Sequence, residues 1–118
     1  MPAEAEHKAL LLNPSSDEAV LRAQRRLQIS PDDAEALYDY GLALARVGEI
    51  DFAITLLNRA LNAGKDRFAV HWRRGYLEFL RGNFSAAVDD LVKATALKND
   101  PYVRQLLQAS VIPARREA

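Results

Sequence analysis

The chain repeats its own sequence. Shifting its 118 residues by 34 positions aligns Gly41 with Gly75 and Gly48 with Gly82. The same shift aligns small residues with small ones and large apolar residues with large ones, at Ala53 and Ala87, Leu57 and Leu91, and Ala60 and Ala94. A recurring packing unit keeps residue size in this way, because each copy contacts its neighbour through the same positions. The repeat therefore predicts an array of short structural units.

The first full unit predicts two helices and no strand. In residues 33–47 apolar side chains recur at steps of three and four, and Gly48 ends that helix. A second apolar stripe follows in residues 52–63, with Gly64 in the position of a C-terminal helix stop. The next unit repeats this arrangement, with helices predicted over residues 67–81 and 85–97 and a break at Gly82.

The repeat frame also extends toward the start of the chain. Ser15 and Glu18 form a capping-box pattern, which predicts the beginning of a helix that ends near Ile29. Residues 3–12 predict a shortened partner helix that ends before a proline. Together they form a degenerate copy of the unit.

One more helix closes the predicted array. It begins at Pro101 and ends before Pro113, and residues 114–118 are expected to form a frayed tail. We therefore predict a single all-α domain of about seven helices, three hairpins plus a C-terminal capping helix. Its parts are residues 1–113 as a whole, a degenerate repeat at 3–31, repeats at 33–65 and 67–99, and the capping helix at 101–112.

Composition argues against several classes of partner. Sixteen basic and sixteen acidic residues cancel, so the chain as a whole is not attracted to nucleic acid or to an anionic membrane. The chain lacks cysteine, which excludes disulfides and thiolate metal sites. Its start does not resemble a signal peptide, and no stretch has the length of a membrane span. We expect a cytoplasmic protein with neither nucleic acid nor a membrane as partner.

No group of residues predicts catalysis, a metal or a cofactor. The two histidines, His7 and His71, do not stand at metal-ligand spacing, and the serines lack a partnered histidine. His71 lies at a packing position beside Trp72, where a partly buried imidazole is expected. Asp89 and Asp90 diverge by about 100° on a helix and cannot share a substrate. We therefore predict no catalytic residue, no metal site and no cofactor.

The repeat resembles the tetratricopeptide repeat, whose 34-residue pattern has a Trp, a Leu-Gly pair, an aromatic residue, an Ala-x3-Phe and a closing Pro. The matching residues are Leu37, Tyr40-Gly41, Leu44, Ala53-x3-Leu57 and Ala60 in one unit, and His71, Arg74-Gly75, Glu78, Ala87-x3-Leu91 and Ala94 in the next. Arg74 departs from the usual Leu, and Glu78 departs from the usual aromatic residue. The resemblance implies a right-handed array of helical hairpins, with Gly41 and Gly75 at close helix crossings.

The resemblance also implies which surface binds a partner, because the first helix of each pair lines the concave side in this family. Helical geometry supports this, since Trp72, Tyr76 and Phe79 share one helix face. The predicted partner-binding groove consists of Tyr38, Leu42, Arg46, Trp72, Arg73, Tyr76 and Phe79.

An apolar groove of this kind favours another protein or peptide, bound as an amphipathic helix or an extended segment. We predict an adaptor or chaperone without catalytic activity. The family's carboxylate clamp is disfavoured, because Tyr38 and Leu42 stand where Lys and Asn would be needed and only Arg73 fits. A weaker resemblance, in size and in the closing helix, is to small tetratricopeptide chaperones of type III secretion.

Four alternatives stay open at this stage. The aromatic residues could be covered by the chain's own end helices, and the chain could be one domain of a longer enzyme. The protein could also be a self-assembling scaffold, a homo-oligomer whose copies associate through their end faces. The basic strip of Arg22, Arg25 and Arg26 is interpreted as a solvated face rather than as a contact for phosphate or an acidic peptide.

Overall fold

The computed structural model describes residues 14–117. Every regular element in that range is an α-helix, so the all-α prediction is confirmed for the described residues. The helices are α1 (Pro14–Ile29), α2 (Ala34–Arg46), α3 (Ile50–Asn62), α4 (Arg67–Leu80), α5 (Phe84–Leu97) and α6 (Pro101–Glu117). The predicted helix at 3–12 lies outside the described residues, so the total of seven helices and the right-handed hairpin layout stay predictions.

Local sequence sets the ends of these helices. Asp33 and Asp66 are N-caps, and their carboxylates accept hydrogen bonds from the amides of Ala36 at 3.1 Å and Ala69 at 3.0 Å. The Ala36 amide, followed by the charge of Arg26, holds the pKa of Asp33 below its ordinary value. Three helices are followed by a glycine with positive φ, a conformation that glycine adopts without steric cost: Gly48 at 91°, Gly64 at 105° and Gly82 at 82°.

The chain divides into two compact units, Met1–Gly64 and Lys65–Ala118. In the first unit α2 packs against both α1 and α3. Its core contains Leu37, Leu56 and Ala60, all at most 1% exposed. A Cβ on Gly41 would lie 3.2 Å from the carbonyl oxygen of Ala53, so the predicted close crossing of α2 and α3 is confirmed.

In the second unit α5 packs against both α4 and α6. Its core is formed by five buried side chains, Ala87, Leu91, Ala94, Val103 and Leu106. A Cβ on Gly75 would lie only 2.8 Å from Cγ of Leu91, closer than packed carbon atoms approach. The predicted close crossing of α4 and α5 is therefore confirmed as well, and any larger residue at Gly75 would overpack it.

Arg74 and Glu78, two departures from the repeat pattern, are charged residues that the structure buries in part and almost completely, respectively. Arg74 donates two hydrogen bonds to Asp90, from Nε to Oδ2 at 2.9 Å and from Nη2 to Oδ1 at 2.7 Å. Nδ1 of His71 lies 3.3 Å from the same Oδ1, which confirms a packing role for this histidine. The hydrogen bond to Asp90 raises the pKa of Arg74. Glu78, at the usual aromatic position, is 7% exposed and pairs with Arg81.

The predicted end of the last helix was wrong. Helix α6 continues through Pro113 to Glu117, so residues 114–117 are not a frayed tail. A proline inside a helix lacks the amide that would bond the preceding turn, at a cost of ~3 kcal/mol. Contacts hold the far end of the helix, because the Glu117 carboxylate accepts hydrogen bonds from the amides of Phe84 and Ser85, both at 2.8 Å, and from the Ser85 hydroxyl.

Candidate functional site

Four of the seven predicted site residues lie on helix α4: Trp72, Arg73, Tyr76 and Phe79. All four are half-buried. The three aromatic side chains pack against the core of the second unit, which fixes their position. Each ring still retains exposed surface, so this face of α4 is neither a closed core nor a fully solvated surface.

Trp72 is the centre of an aromatic cluster. Its ring centroid lies 6.4 Å from that of Tyr76, with the planes tilted by 47°, and 5.8 Å from that of Tyr102, edge to face at 80°. Tyr102 belongs to α6 and is 55% exposed. The closing helix therefore covers one part of Trp72 and adds a third ring to the surface. Tyr102 was not among the site residues predicted from the sequence, although an aromatic residue in the first turn of the last helix was a usable signal.

Arg73 extends this cluster with a positive charge. Its guanidinium carbon lies 4.2 Å from the centre of the Trp72 ring, which is a cation–π contact. Nε of Arg73 is buried and has no hydrogen-bond partner in the part of the chain that the structure describes. A buried donor without an acceptor costs roughly 1–3 kcal/mol, so the position of Arg73 carries an energetic cost.

Phe79 packs against another aromatic residue of the second unit. Its ring packs edge to face on Phe84 of α5, with centroids 5.4 Å apart and planes at 78°. The neighbouring Leu80 is 51% exposed and provides the apolar surface at this end of α4. Trp72 and Tyr76 thus lie together at the surface, whereas the Phe79 ring packs against α5.

The other three predicted residues belong to the first unit. Tyr38 is half-buried and packs against the core around Leu37. Leu42 and Arg46 line a hollow of about 150 Å³ between α1 and α2. Tyr38 therefore serves mainly to cover the core, whereas Leu42 and Arg46 border a concave surface.

Solved structures of similar shape identify the architecture. The TPR2B domain of yeast Sti1, solved as a complex with pHsp70, has a TM-score of 0.70 and 18% identity, and the match covers 99% of this chain and 96% of that one. The fold is of the tetratricopeptide-repeat type. A second structure with this tetratricopeptide-repeat fold, the MamA RS-1 ArsTM double mutant, has a TM-score of 0.81 and 22% identity over 96% of this chain.

The similarity to these two structures concerns the tetratricopeptide-repeat fold alone. This chain spans 64% of the length of the MamA chain. No protein-family model matches the sequence, and no curated protein matches it either.

The described part of the chain lacks a metal-binding group of side chains and a helix that could span a membrane. Among the side chains described, those of residues 18–117, no three His, Asp or Glu are grouped so that they could hold a metal ion. None of the six helices described combines the length and the apolar character that crossing a bilayer requires.

Proposed function

We propose that this protein binds a segment of another polypeptide on the α4 surface and catalyses no reaction. The observation that carries the proposal is the aromatic cluster of Trp72, Tyr76 and Tyr102, whose rings are held by neighbouring side chains yet remain partly exposed. Rings that are already fixed lose little conformational freedom on binding. A partner that covers them therefore gains apolar contact at a small entropic cost.

The chemistry around the cluster suggests what kind of segment binds. Apolar side chains of an amphipathic helix or an extended peptide would cover Trp72 and Tyr76. The guanidinium of Arg73, held against the Trp72 ring, adds a positive charge beside these apolar rings. In the first unit, taken by itself, Leu42 and Arg46 line a hollow of mixed apolar and basic character. We place this interaction in the cytoplasm, where an adaptor or chaperone would act.

The structural neighbours support a polypeptide as the partner. The Sti1 domain was solved in complex with pHsp70, so a domain of this fold can hold a second polypeptide. The side chains differ from those that a carboxylate clamp uses, since Tyr38 and Leu42 stand where Lys and Asn would be needed. We therefore expect recognition through apolar side chains along the segment rather than through its terminal carboxylate.

Fluorescence of Trp72, the chain's one tryptophan, tests the proposal directly. We expect the emission to shift to shorter wavelength when amphipathic helical peptides are added, because a bound segment removes water from the ring. Peptides that carry only an acidic C-terminal tail should leave the emission unchanged. If no peptide with an apolar face shifts the emission, the α4 surface is not a binding site.

Replacing Tyr102 with Ala measures how much the aromatic cluster contributes to the affinity for a peptide. The ring is 55% exposed, so its removal disturbs the core less than removal of Trp72 would. We expect peptide affinity to fall by roughly 2 kcal/mol, about 30-fold, as for an aromatic hot spot. Phe52→Ala is the matched control, because Phe52 is a similarly exposed aromatic residue on α3, at 53%. Equal losses in both variants would contradict a site at α4.

Self-assembly through the end faces is the second candidate. One observation favours it: helix α6 carries two exposed large apolar side chains, Tyr102 at 55% and Ile112 at 61%. A second copy that covers α6 would remove such side chains from water.

A further inference from the structure

Three arginines surround the hollow between α1 and α2 in the first unit. Arg22 and Arg26 reach it from α1, and Arg46 reaches it from the last turn of α2. Its floor is apolar, formed by Leu42 and by Ala23, which is only 2% exposed. Basic side chains on two helices thus converge over one small apolar depression.

The charges around this hollow are not balanced. Asp39 is the one acidic residue among the described side chains that line it, and it pairs with Arg26 at 3.3 Å. Arg26 also pairs with Asp33 at 3.2 Å, so two carboxylates hold its guanidinium in place. Arg22 and Arg46 are exposed and form no ion pair with a described residue. Two guanidinium groups therefore remain available beside a third that is fixed.

The shape and chemistry of the hollow fit an oxyanion on a short apolar stem. Guanidinium groups bind carboxylate and phosphate oxygens through paired N–H donors, and converging arginines favour an anion between them. The hollow has a volume of about 150 Å³ and is partly open to solvent. That space accommodates an acidic side chain, and its methylene groups would contact Leu42 and Ala23.

We propose that the arginine hollow, defined by Arg22, Arg26 and Arg46, receives the oxyanion of an acidic or phosphorylated side chain of the bound polypeptide. The assignment to a polypeptide rests on the proposed function. Anion binding itself can be measured without any peptide and without the α4 surface, so the two proposals can fail independently. Of the three arginines in the basic strip on α1, Arg22 and Arg26 face the bound anion. Arg25 does not line the hollow and is exposed to solvent.

The test uses NMR titration with two probes, glutarate for a carboxylate side chain and inorganic phosphate for a phosphorylated one. We expect saturable shifts of the Leu42 and Ala23 methyl signals and of the Arg22 and Arg46 Nε–H signals, with a Kd on the order of millimolar for these small ions. The shifts should weaken as salt increases, because the contact is electrostatic. The probe that saturates at lower concentration identifies which of the two side chains the hollow prefers.

Two variants decide the outcome. The double variant R22Q/R46Q removes both available guanidinium groups, and at least a tenfold weaker response is expected. Arg25→Gln removes one exposed positive charge from the same helix outside the hollow, and it should leave the titration unchanged. Absence of saturable shifts with both probes overturns the proposal. An undiminished response in R22Q/R46Q, or an equal loss in R25Q, also overturns it, since the effect would then be general charge attraction.

Discussion

Asp90 is a carboxylate that the second unit buries almost completely, at 6% exposure. Removing a charge from water is expensive, and the arrangement is stable because Arg74 binds both carboxylate oxygens. Asp89, the next residue, is exposed, as expected from their divergence on a helix. One side chain of this acidic pair is thus part of the core, and the other is in solvent.

Asp90→Ala should destabilise the protein strongly. Arg74 would keep its charge, with 19% of its side chain exposed and its main partner lost. We expect the free energy of unfolding, measured by urea denaturation, to fall by about 3–5 kcal/mol. The double variant R74L/D90L removes both charges and should recover much of this loss. If D90A alone costs less than about 1 kcal/mol, the pair is not important for stability.

At the scale of the helices, a distant contact determines where α6 ends. Glu117 caps the first turn of α5, and the bond from the Phe84 amide spans 33 residues of sequence. The Ser85 hydroxyl, followed by the amides of Phe84 and Ser85, lowers the pKa of Glu117 below its ordinary value of 4.5. The cap therefore depends on the ionised carboxylate.

Glu117→Gln should lower the melting temperature at pH 7, because the amide is a weaker acceptor than the carboxylate. Because the pKa of Glu117 is lower in the folded protein than its ordinary value, the ionised side chain stabilises the fold fully above pH 4.5. This contribution is lost as the pH falls through the lowered pKa. The difference in melting temperature between wild type and E117Q should therefore shrink on acidification. Glu49→Gln is the control, since Glu49 forms no side-chain cap bond. A difference that is the same at pH 7 and at low pH would contradict the cap.

The sequence predicted α2 to α5 well because their ends are set locally. Asp33 and Asp66 bond to amides three residues away, and glycines with positive φ follow three of these helices. The end of α6 could not be predicted by the same reasoning. Pro113 is a local stop signal, whereas the bonds that keep residues 114–117 helical come from another helix.

At the scale of the whole molecule, periodicity predicted the aromatic face of α4 but not what surrounds it. Trp72 and Tyr76 follow from their spacing on one helix. The contact between Trp72 and Tyr102 depends on how α6 packs in the second unit, which a helical pattern does not specify. The same holds for the arginine hollow, because Arg46 is distant in sequence from Arg22 and Arg26.

Sedimentation across a concentration range separates the two candidate functions of the molecule. A module that binds a foreign segment on α4 should sediment at the mass of one chain, 13.2 kDa, at every concentration. Mass that increases with concentration would favour the scaffold, in which copies associate through the side of α6 that carries Ile112. Two apolar side chains are a small surface for stable association, so we expect the single-chain mass.

The bond between Glu117 and the start of α5 also bears on the order in which contacts form during synthesis. Asp33 can cap its helix as soon as Ala36 leaves the ribosome, because the two are three residues apart. The Phe84 amide is bonded to water until Glu117, 33 positions downstream, has also left the ribosome. The carboxylate cap on α5 should therefore be one of the last native contacts of the second unit to form.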